Sequence, residues 1–364
     1  MLCSCCCNFY LGGSNTLIQS EAYQNLYETW RGPITNEKVA LASEKLAKHE
    51  ERLNEQWENA DDGIYTPSLE ERAKSSFFRS VVWKGGNLEA FNERKSSLTI
   101  ELEDLNKNSY EYKETLKHVT MLNDLEQPFG FYNTSTWETT VDFINTLGFI
   151  IFSGMILVGL APVFADEHAK KMTGFILSTK HGKRKIVTAK LFASLVFIVT
   201  IFIVLHISNV LLMRKTFGPF VDGTVPLQNI FMYVLSRFSW EIWEYFFIGL
   251  SVQLFAGIAL GILVLFMSII TRSSMLAFFI SGVIFGTPFL FRLLGFEQPF
   301  IQYIIQFSFA ELMRVKGLFD QFIAFNVFGY PVLYPIMLVV IFTFITFILI
   351  LLTYHFFKKQ EIRN

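Results

Sequence analysis

The sequence predicts an all-α fold: a polytopic helical membrane protein with an N-terminal helical domain outside the bilayer. Of its 364 residues, 52% are hydrophobic and 40 are Phe, and the mean hydropathy is +0.38. That is more apolar side chain than the core of a soluble domain needs. The charge is divided as well: residues 1–141 have a net charge of −8, and residues 142–364 have a net charge of +7. Two regions with different surroundings are therefore expected.

Five apolar runs follow Asp142, and each is long enough for a helix that crosses a bilayer, which takes about 20 residues. The runs are 142–164, 187–212, 245–270, 275–293 and 330–355. None shows the alternation of a barrel strand, so we expect helices. The sequence thus predicts a transmembrane domain over residues 142–364.

The region before the first run has the pattern of a soluble helical domain. Residues 36–59 place apolar side chains three and four positions apart, as in an amphipathic helix. Ser68 and Glu71 form a capping-box start for a short helix, and a third helix is expected over 97–123. We predict an antiparallel helical hairpin in residues 1–141, with its turn at "SSFFRSVVWKGGN".

The basic residues predict the orientation of the spans. The link at 165–190, the turn at 271–274 and the tail after 355 together contain 11 Lys and Arg and three acidic residues. The loops 213–244 and 293–329 have no such excess. By the positive-inside rule the first set is cytoplasmic. We therefore expect a multi-pass protein of the cell membrane with an extracellular N-terminal domain and a cytoplasmic C-terminus.

The start of the chain does not agree with this orientation by itself. A large exported region needs a segment that begins its translocation, and residues 1–30 contain no run long enough to span. All four cysteines lie within the first seven residues, in no disulfide or metal-ligand pattern. We expect a further span ahead of residue 1, giving six spans with both ends cytoplasmic. Five spans with an exported N-terminus is the alternative.

The link after the first span concentrates basic charge, with seven Lys and Arg and two acidic residues in 164–190. His168, Met172, Phe175 and Thr179 recur at helical spacing. This pattern predicts an amphipathic helix along the inner membrane surface within 165–186. Two interpretations follow: the segment anchors a loop to anionic lipid and sets topology, or it is a docking surface for a cytoplasmic partner.

The order of residues in "FADEHAKKMTGFILSTKHGKRKIVTAKLFASLVF" resembles the first cytoplasmic link of type-2 permeases of ABC transporters. The family pattern is an acidic residue, a Gly, an apolar pair, a Ser or Thr, a basic cluster and a Lys that opens the next span. The corresponding residues here are Glu167, Gly174, Ile176 with Leu177, Ser178 with Thr179, Lys183 with Arg184, and Lys190. A large external insertion, as in permeases of low-GC Gram-positive bacteria, is similar too. The chain departs from the family because it lacks the first span.

The resemblance implies that the link is a coupling helix, seated in a cleft of a separate ATPase subunit. The residues it assigns to that interface are Asp166, Glu167, Gly174, Phe175, Ile176, Thr179, Lys183, Arg184 and Lys190. Charged members would make polar contacts, Phe175 and Ile176 would seat the helix, and Gly174 would allow close approach. The expected partners are the ATPase, a second permease subunit, identical or different, and the lipid bilayer; no nucleic acid is expected.

The sequence contains no phosphate-binding loop of the form G-x-x-x-x-G-K-[ST]. ATP would therefore be bound by the partner, with no cofactor or metal in this chain, which we do not expect to be an enzyme. The expected function is export of a peptide, antimicrobial or lipid-like substrate. The alternative is a membrane-anchored ligand-binding or bacteriocin-immunity protein without transport. An intramembrane hydrolase is disfavoured because the spans lack paired Glu/His or Ser/His.

Other polar residues near the spans have simpler interpretations. His206 lies within the second run, where a structural role is favoured over a functional one. Glu241 and Glu244 lie at the mouth of the third, where contact with interfacial water is favoured over a polar vestibule. The segment 299–331 is apolar but interrupted by charge, so we expect it to lie in the interface or to dip into the membrane and return.

Overall fold

Helices account for most of the chain in the computed structural model, which describes residues 21–59, 66–169 and 182–360. The chain divides into two compact units. One, which we call the head, consists of Met1–Thr134 and Thr224–Val234; the other, the membrane unit, consists of Ser135–Gly223 and Leu235–Asn364.

Within residues 21–59 and 66–134, the head contains four α-helices and a two-stranded antiparallel sheet. In chain order these are α1 (Glu21–Trp30), β1 (Gly32–Pro33), α2 (Asn36–Glu58), α3 (Leu69–Asp104), α4 (Tyr110–Asn123) and β2 (Gly130–Phe131). The helix predicted over 36–59 is confirmed. The capping box is also confirmed: the Ser68 hydroxyl accepts from the Glu71 amide, and the Glu71 carboxylate accepts from the Ser68 amide.

Aromatic packing forms the core of the head. One cluster joins α1, α2, α3 and β2, and a second joins α3, α4 and the segment that leads to β2. The first contains Tyr27, Trp30, Ala42, Phe77, Phe78, Val81 and Phe131, and the second contains Phe91, Leu98, Val119, Leu122, Leu125 and Phe129.

The predicted turn at "SSFFRSVVWKGGN" is wrong, because α3 continues through all of it for 36 residues. The stretch contains two adjacent glycines, yet neither breaks the helix. Instead, a Cβ atom at Gly85 would lie 2.6 Å from the Val39 methyl groups, so this glycine lets α2 and α3 pack closely. The helix that begins after Ser68 is therefore long, and the one predicted over 97–123 is two helices, separated at 105–109.

The segment 224–234 joins the head through one buried asparagine. Two 3₁₀ turns, Leu227–Asn229 and Phe231–Tyr233, shape the segment. The Asn229 side chain accepts from the Gly130 amide (2.8 Å) and donates to the carbonyls of Pro128 (3.2 Å) and Pro226 (2.9 Å). A single side chain thus satisfies three buried backbone groups, which would otherwise be costly.

Among the described residues of the membrane unit, five helices are long and apolar enough to cross a bilayer, over 135–167, 185–217, 242–271, 274–293 and 334–358. The first comprises α5 (Ser135–Phe143), a π-helical turn (Ile144–Gly148), α6 (Phe149–Leu160) and α7 (Pro162–Ala169). The others are α8 (Gly182–Phe217), α9 (Ile242–Thr271), α10 (Ser274–Leu293) and α14 (Tyr334–Gln360). This helical structure with five candidate spans agrees with the prediction of an all-α polytopic membrane protein.

The third span, α9, is the central helix of this unit. It packs against each of the other four spans. Glycines on α9 permit this crowding: a Cβ atom at Gly257 would lie 2.5 Å from the Phe152 ring, and one at Gly261 would lie 2.5 Å from Ile198. Such small residues let membrane helices approach closely.

The segment between α10 and α14 enters the bundle and returns. It contains α11 (Pro299–Gln306), α12 (Phe309–Arg314), α13 (Lys316–Phe319) and a hairpin of β3 (Ala324–Val327) and β4 (Tyr330–Leu333). Leu312 and Met313 of α12 are fully buried, and α12 packs against α6, α9 and α10. Because β4 occupies 330–333, the last helix begins at Tyr334 and not at 330.

Candidate functional site

The candidate site is the set of contacts that holds the two ends of the basic connector, residues 168–184. Glu167 lies in α7, just before the connector, and Lys190 lies in α8, just after it. The Lys190 ammonium lies 2.6 Å from the Glu167 carboxylate and donates to the Val163 carbonyl at 2.5 Å. It also lies 4.4 Å from the centre of the Phe164 ring. Both charged side chains are mostly buried, so the pair is a strong constraint on the connector ends.

A serine in the central span, α9, forms hydrogen bonds with the backbone groups at a helix break beside this ion pair. Pro162 has no amide hydrogen, and the chain changes from α6 to α7 at Ala161. The buried Ser268 hydroxyl donates to the Ala161 carbonyl (2.7 Å) and accepts from the amides of Phe164 (3.1 Å) and Ala165 (2.9 Å). Without water in the membrane, such groups must be satisfied by protein.

The last span closes the same end of the unit. The Thr188 and Tyr354 hydroxyls are 2.9 Å apart and share a hydrogen bond, which joins α8 to α14. The rings of Phe164 and Phe357 are in edge contact, with centroids 5.8 Å apart. We call this set, namely Val163, Phe164, Glu167, Thr188, Lys190, Ser268, Tyr354 and Phe357, the connector junction. It brings α7, α8, α9 and α14 together where the connector leaves and rejoins the bundle.

Of the nine predicted interface residues, the structure brings two into contact, Glu167 and Lys190. Asp166 is half-buried in α7. Lys183 and Arg184 lie in the first turn of α8, and their side chains are outside the described residues. The remaining four, Gly174, Phe175, Ile176 and Thr179, and the amphipathic helix predicted around them, also lie outside the described residues. Contact with an ATPase stays a prediction for all nine.

At the opposite end of the membrane unit, which we call the far end, Gln253 joins three elements. Its amide donates to the carbonyls of Ile144 (3.3 Å) and Met313 (3.2 Å), linking α9 to the π-helical turn and to α12. A π-helical turn disturbs the regular backbone ladder and is common at functional sites. His206 is buried near Gln253 against the Phe202 ring, and neither ring nitrogen has a hydrogen-bond partner within the described parts of the chain.

An ion pair between an exposed arginine and a buried glutamate lies near these groups. The Arg292 guanidinium of α10 lies 2.7 Å from the Glu311 carboxylate of α12, whose side chain is 6% exposed. Burial raises the pKa of Glu311, although Arg292 and Arg314 act in the opposite direction. The glycine at 317 makes room for this carboxylate, since a Cβ atom there would overlap its oxygen.

The two glutamates at the mouth of the third span have a structural role. Glu241 and Glu244 form a capping box at the start of α9, in which the Glu244 carboxylate accepts from the Glu241 amide at 3.0 Å. Trp243 Nε1 donates to the Glu241 carboxylate. These contacts satisfy amides of the first helical turn.

Sequence reasoning did not identify Ser268, Gln253 or Arg292. A lone Ser or Gln in an apolar run is a weak signal, because its partners lie more than 50 residues away in sequence. Arg292 gave a stronger signal, because a cation at the end of a span is expected to have a counter-charge. Comparison of the chain with family models, curated proteins and solved structures finds no match.

Proposed function

We propose that this chain is the membrane-spanning permease subunit of an ABC transporter, in which ATP hydrolysis by a separate subunit is coupled to export of a peptide, antimicrobial or lipid-like substrate. The observation that carries the proposal is the connector junction, which holds both ends of the basic connector. A segment that transmits movement from a partner must be firmly attached to the helices that it moves. Glu167, Lys190 and Ser268 provide such an attachment to three spans.

The remaining support comes from the sequence. The connector has the residue order of the permease link, and the chain contains no phosphate-binding loop of its own. In the proposed arrangement the connector lies on the cytoplasmic side and the head on the extracellular side. The protein would work with a second permease subunit and two ATPases, so that nucleotide-driven closure of the ATPases changes the access state of the spans.

The first test is co-purification of a tagged chain from its native membranes, with identification of the proteins that accompany it. An ATPase with a phosphate-binding loop is the expected companion. If the tagged chain is stable and captures a ligand but no ATPase accompanies it, the proposal is contradicted. A binding or immunity protein without transport would then be favoured.

A charge exchange tests the connector assignment itself. In Glu167→Lys/Lys190→Glu, attraction between the two side chains is kept, but any contact of Glu167 with a partner is inverted. We expect some loss of thermal stability, because a carboxylate at position 190 cannot donate to the Val163 carbonyl or lie favourably on the Phe164 ring. At a temperature where the variant is folded, ATPase stimulation by substrate should be reduced severalfold in the complex. Full stimulation by the exchanged pair would mean that these residues act only within the chain.

A further inference from the structure

A cleft at the far end of the membrane unit combines cationic groups with apolar walls. It lies between α10 and the segment of α11 and α12. Its walls are hydrophobic, and its polar groups come from two arginines and one glutamate. The residues that shape it most are Phe149, Pro288, Phe289, Arg292, Glu311 and Arg314.

The two guanidinium groups of the cleft have unused donors. A guanidinium has five N–H groups in a planar fork, and for Arg292 the structure gives one partner, Glu311. Within the described parts of the chain Arg314, which is half-buried, has no hydrogen-bond or ion-pair partner. With one carboxylate between two guanidiniums, the cleft carries net positive charge, and it carries more whenever Glu311 is protonated.

The backbone beside Arg314 is held in an unfavourable conformation. Val315 is fully buried and has φ +63°, a value that is rare for a β-branched residue. Such strain is kept only where surrounding contacts enforce it, and it is found most often at functional sites. Here it lies between α12 and α13, beside Gly317, and it fixes the direction in which the chain leaves Arg314.

Exposed leucines adjoin the cleft residues Phe289 and Arg292 in sequence. Leu290, Leu293 and Leu294, at the end of α10, are 53%, 71% and 69% exposed, as expected for the outer face of a peripheral span. An apolar chain lying along this surface would remain in hydrocarbon, and its polar end would reach the arginines. Basic pockets between membrane helices are a recognised chemistry for anionic lipid headgroups.

We propose that the mouth of this cleft binds the anionic headgroup of a membrane amphiphile, with Arg314 and the free donors of Arg292 on the headgroup and the partly exposed Phe289 ring against the attached chain. Guanidinium groups bind phosphate and carboxylate through paired N–H···O bonds, which explains why two arginines are placed there. The site does not depend on an ATPase, so this inference stands or falls separately from the proposed function.

The test measures binding of phosphatidylglycerol to the full chain purified in a neutral maltoside detergent, with native mass spectrometry to count bound lipid. Arg314→Gln removes the unpaired guanidinium and leaves the Arg292–Glu311 pair. We expect it to weaken phosphatidylglycerol binding by roughly tenfold. Arg214→Gln is the matched control, because Arg214 is exposed and also lies at the far end of the unit. It should bind as the unaltered chain does.

Competition on the unaltered chain identifies the source of the anionic group. Dodecyl phosphate should displace phosphatidylglycerol, whereas inorganic phosphate and phosphatidylcholine at the same concentration should not. If inorganic phosphate displaces phosphatidylglycerol, the proposal is overturned and the site binds a soluble anion. Equal displacement by phosphatidylcholine would overturn it in favour of an apolar groove.

A folding defect would not hide the answer. If Arg314→Gln fails to fold, Arg314→Lys is measured instead, because lysine keeps the positive charge and loses the planar fork. We expect its affinity for phosphatidylglycerol to be lower than that of the unaltered chain, but not abolished. Unchanged binding in every folded Arg314 variant, or an equal loss in Arg214→Gln, would overturn the assignment.

Discussion

The two ends of the membrane unit differ in how their charges are used. At the connector junction the Lys190 ammonium contacts a carboxylate, a carbonyl and an aromatic ring, and Ser268 makes three hydrogen bonds. At the far end Arg314 makes no hydrogen bond or close ion pair within the described parts of the chain, although its charge acts on Glu311, and Val315 is strained. In the first arrangement the charged groups are paired, as expected of contacts that fix structure. In the second arrangement a guanidinium group remains able to bind a ligand.

The difference suggests how one bundle divides its tasks. Buried ion pairs add little stability compared with apolar packing, but removing one partner is costly. A pair that is complete therefore fixes geometry, whereas an unpaired cation beside a pair provides affinity.

Breaking the junction ion pair should have the largest effect. Lys190→Met leaves the Glu167 carboxylate mostly buried without its counter-charge and removes the donor to the Val163 carbonyl. We expect a loss of about 2–3 kcal/mol in the free energy of unfolding, measured by thermal unfolding in detergent. Lys185→Met is the control, since Lys185 is exposed on the same helix. An equal loss in both variants would contradict a special role for the pair.

Removing the serine that repairs the helix break should cost less. Ser268→Ala leaves the amides of Phe164 and Ala165 and the Ala161 carbonyl without this hydroxyl, for a loss of about 1–2 kcal/mol. The control Ser251→Ala lies on the same helix, where the hydroxyl bonds only within its own turn. Equal unfolding temperatures for Ser268→Ala and Ser251→Ala would show that the backbone groups at the Ala161 helix break need no partner from α9.

Relieving strain at the hairpin tip should stabilise the far end slightly. Phe328 and Gly329 form a two-residue turn with φ of +51° and +80°, and Phe328 is 98% exposed. Such turns favour Gly or Asn at both positions. Phe328→Gly should therefore gain about 1 kcal/mol in thermal unfolding, whereas Phe328→Ala, which keeps a Cβ atom, should not. A gain of the same size in the alanine variant would assign the effect to the lost ring.

The smallest effect is a change of stability with pH at Glu311. Its pKa in the folded protein is raised above the ordinary 4.5 by burial. The carboxyl therefore contributes its stability below pH 4.5 and loses it as the pH rises through the raised pKa. The unfolding temperature of the unaltered chain, relative to Glu311→Gln, should fall as the pH rises from 4 to 8.

The control for this measurement is Glu297→Gln, at an exposed carboxyl near the same end of the unit. Its unfolding temperature should follow that of the unaltered chain at every pH. A relative unfolding temperature that rises with pH in the Glu311 comparison would mean that the Arg292 pair outweighs burial.

Local features of this fold could be predicted from the sequence. The five spans follow from apolar length alone, and the cap at Ser68 follows from a residue pair three positions apart. These signals lie within one element or one loop, where spacing and composition determine the outcome.

Features that depend on distant partners could not be predicted. Gly85 was interpreted as part of a turn, since a sequence does not show that Val39 approaches it. The partners of Ser268 lie 103 to 107 residues away, and those of Gln253 lie 60 and 109 residues away. Polar residues of this kind become informative only when the packing that surrounds them is known.

The place of Asn229 in the head has a consequence for biosynthesis. The asparagine completes the hydrogen bonds of Pro128 and Gly130, yet the ribosome makes it about 100 residues later, after the first two spans. The head therefore cannot reach its final state while the chain is still short. Its maturation must wait until the chain has been made through both candidate spans and as far as Asn229.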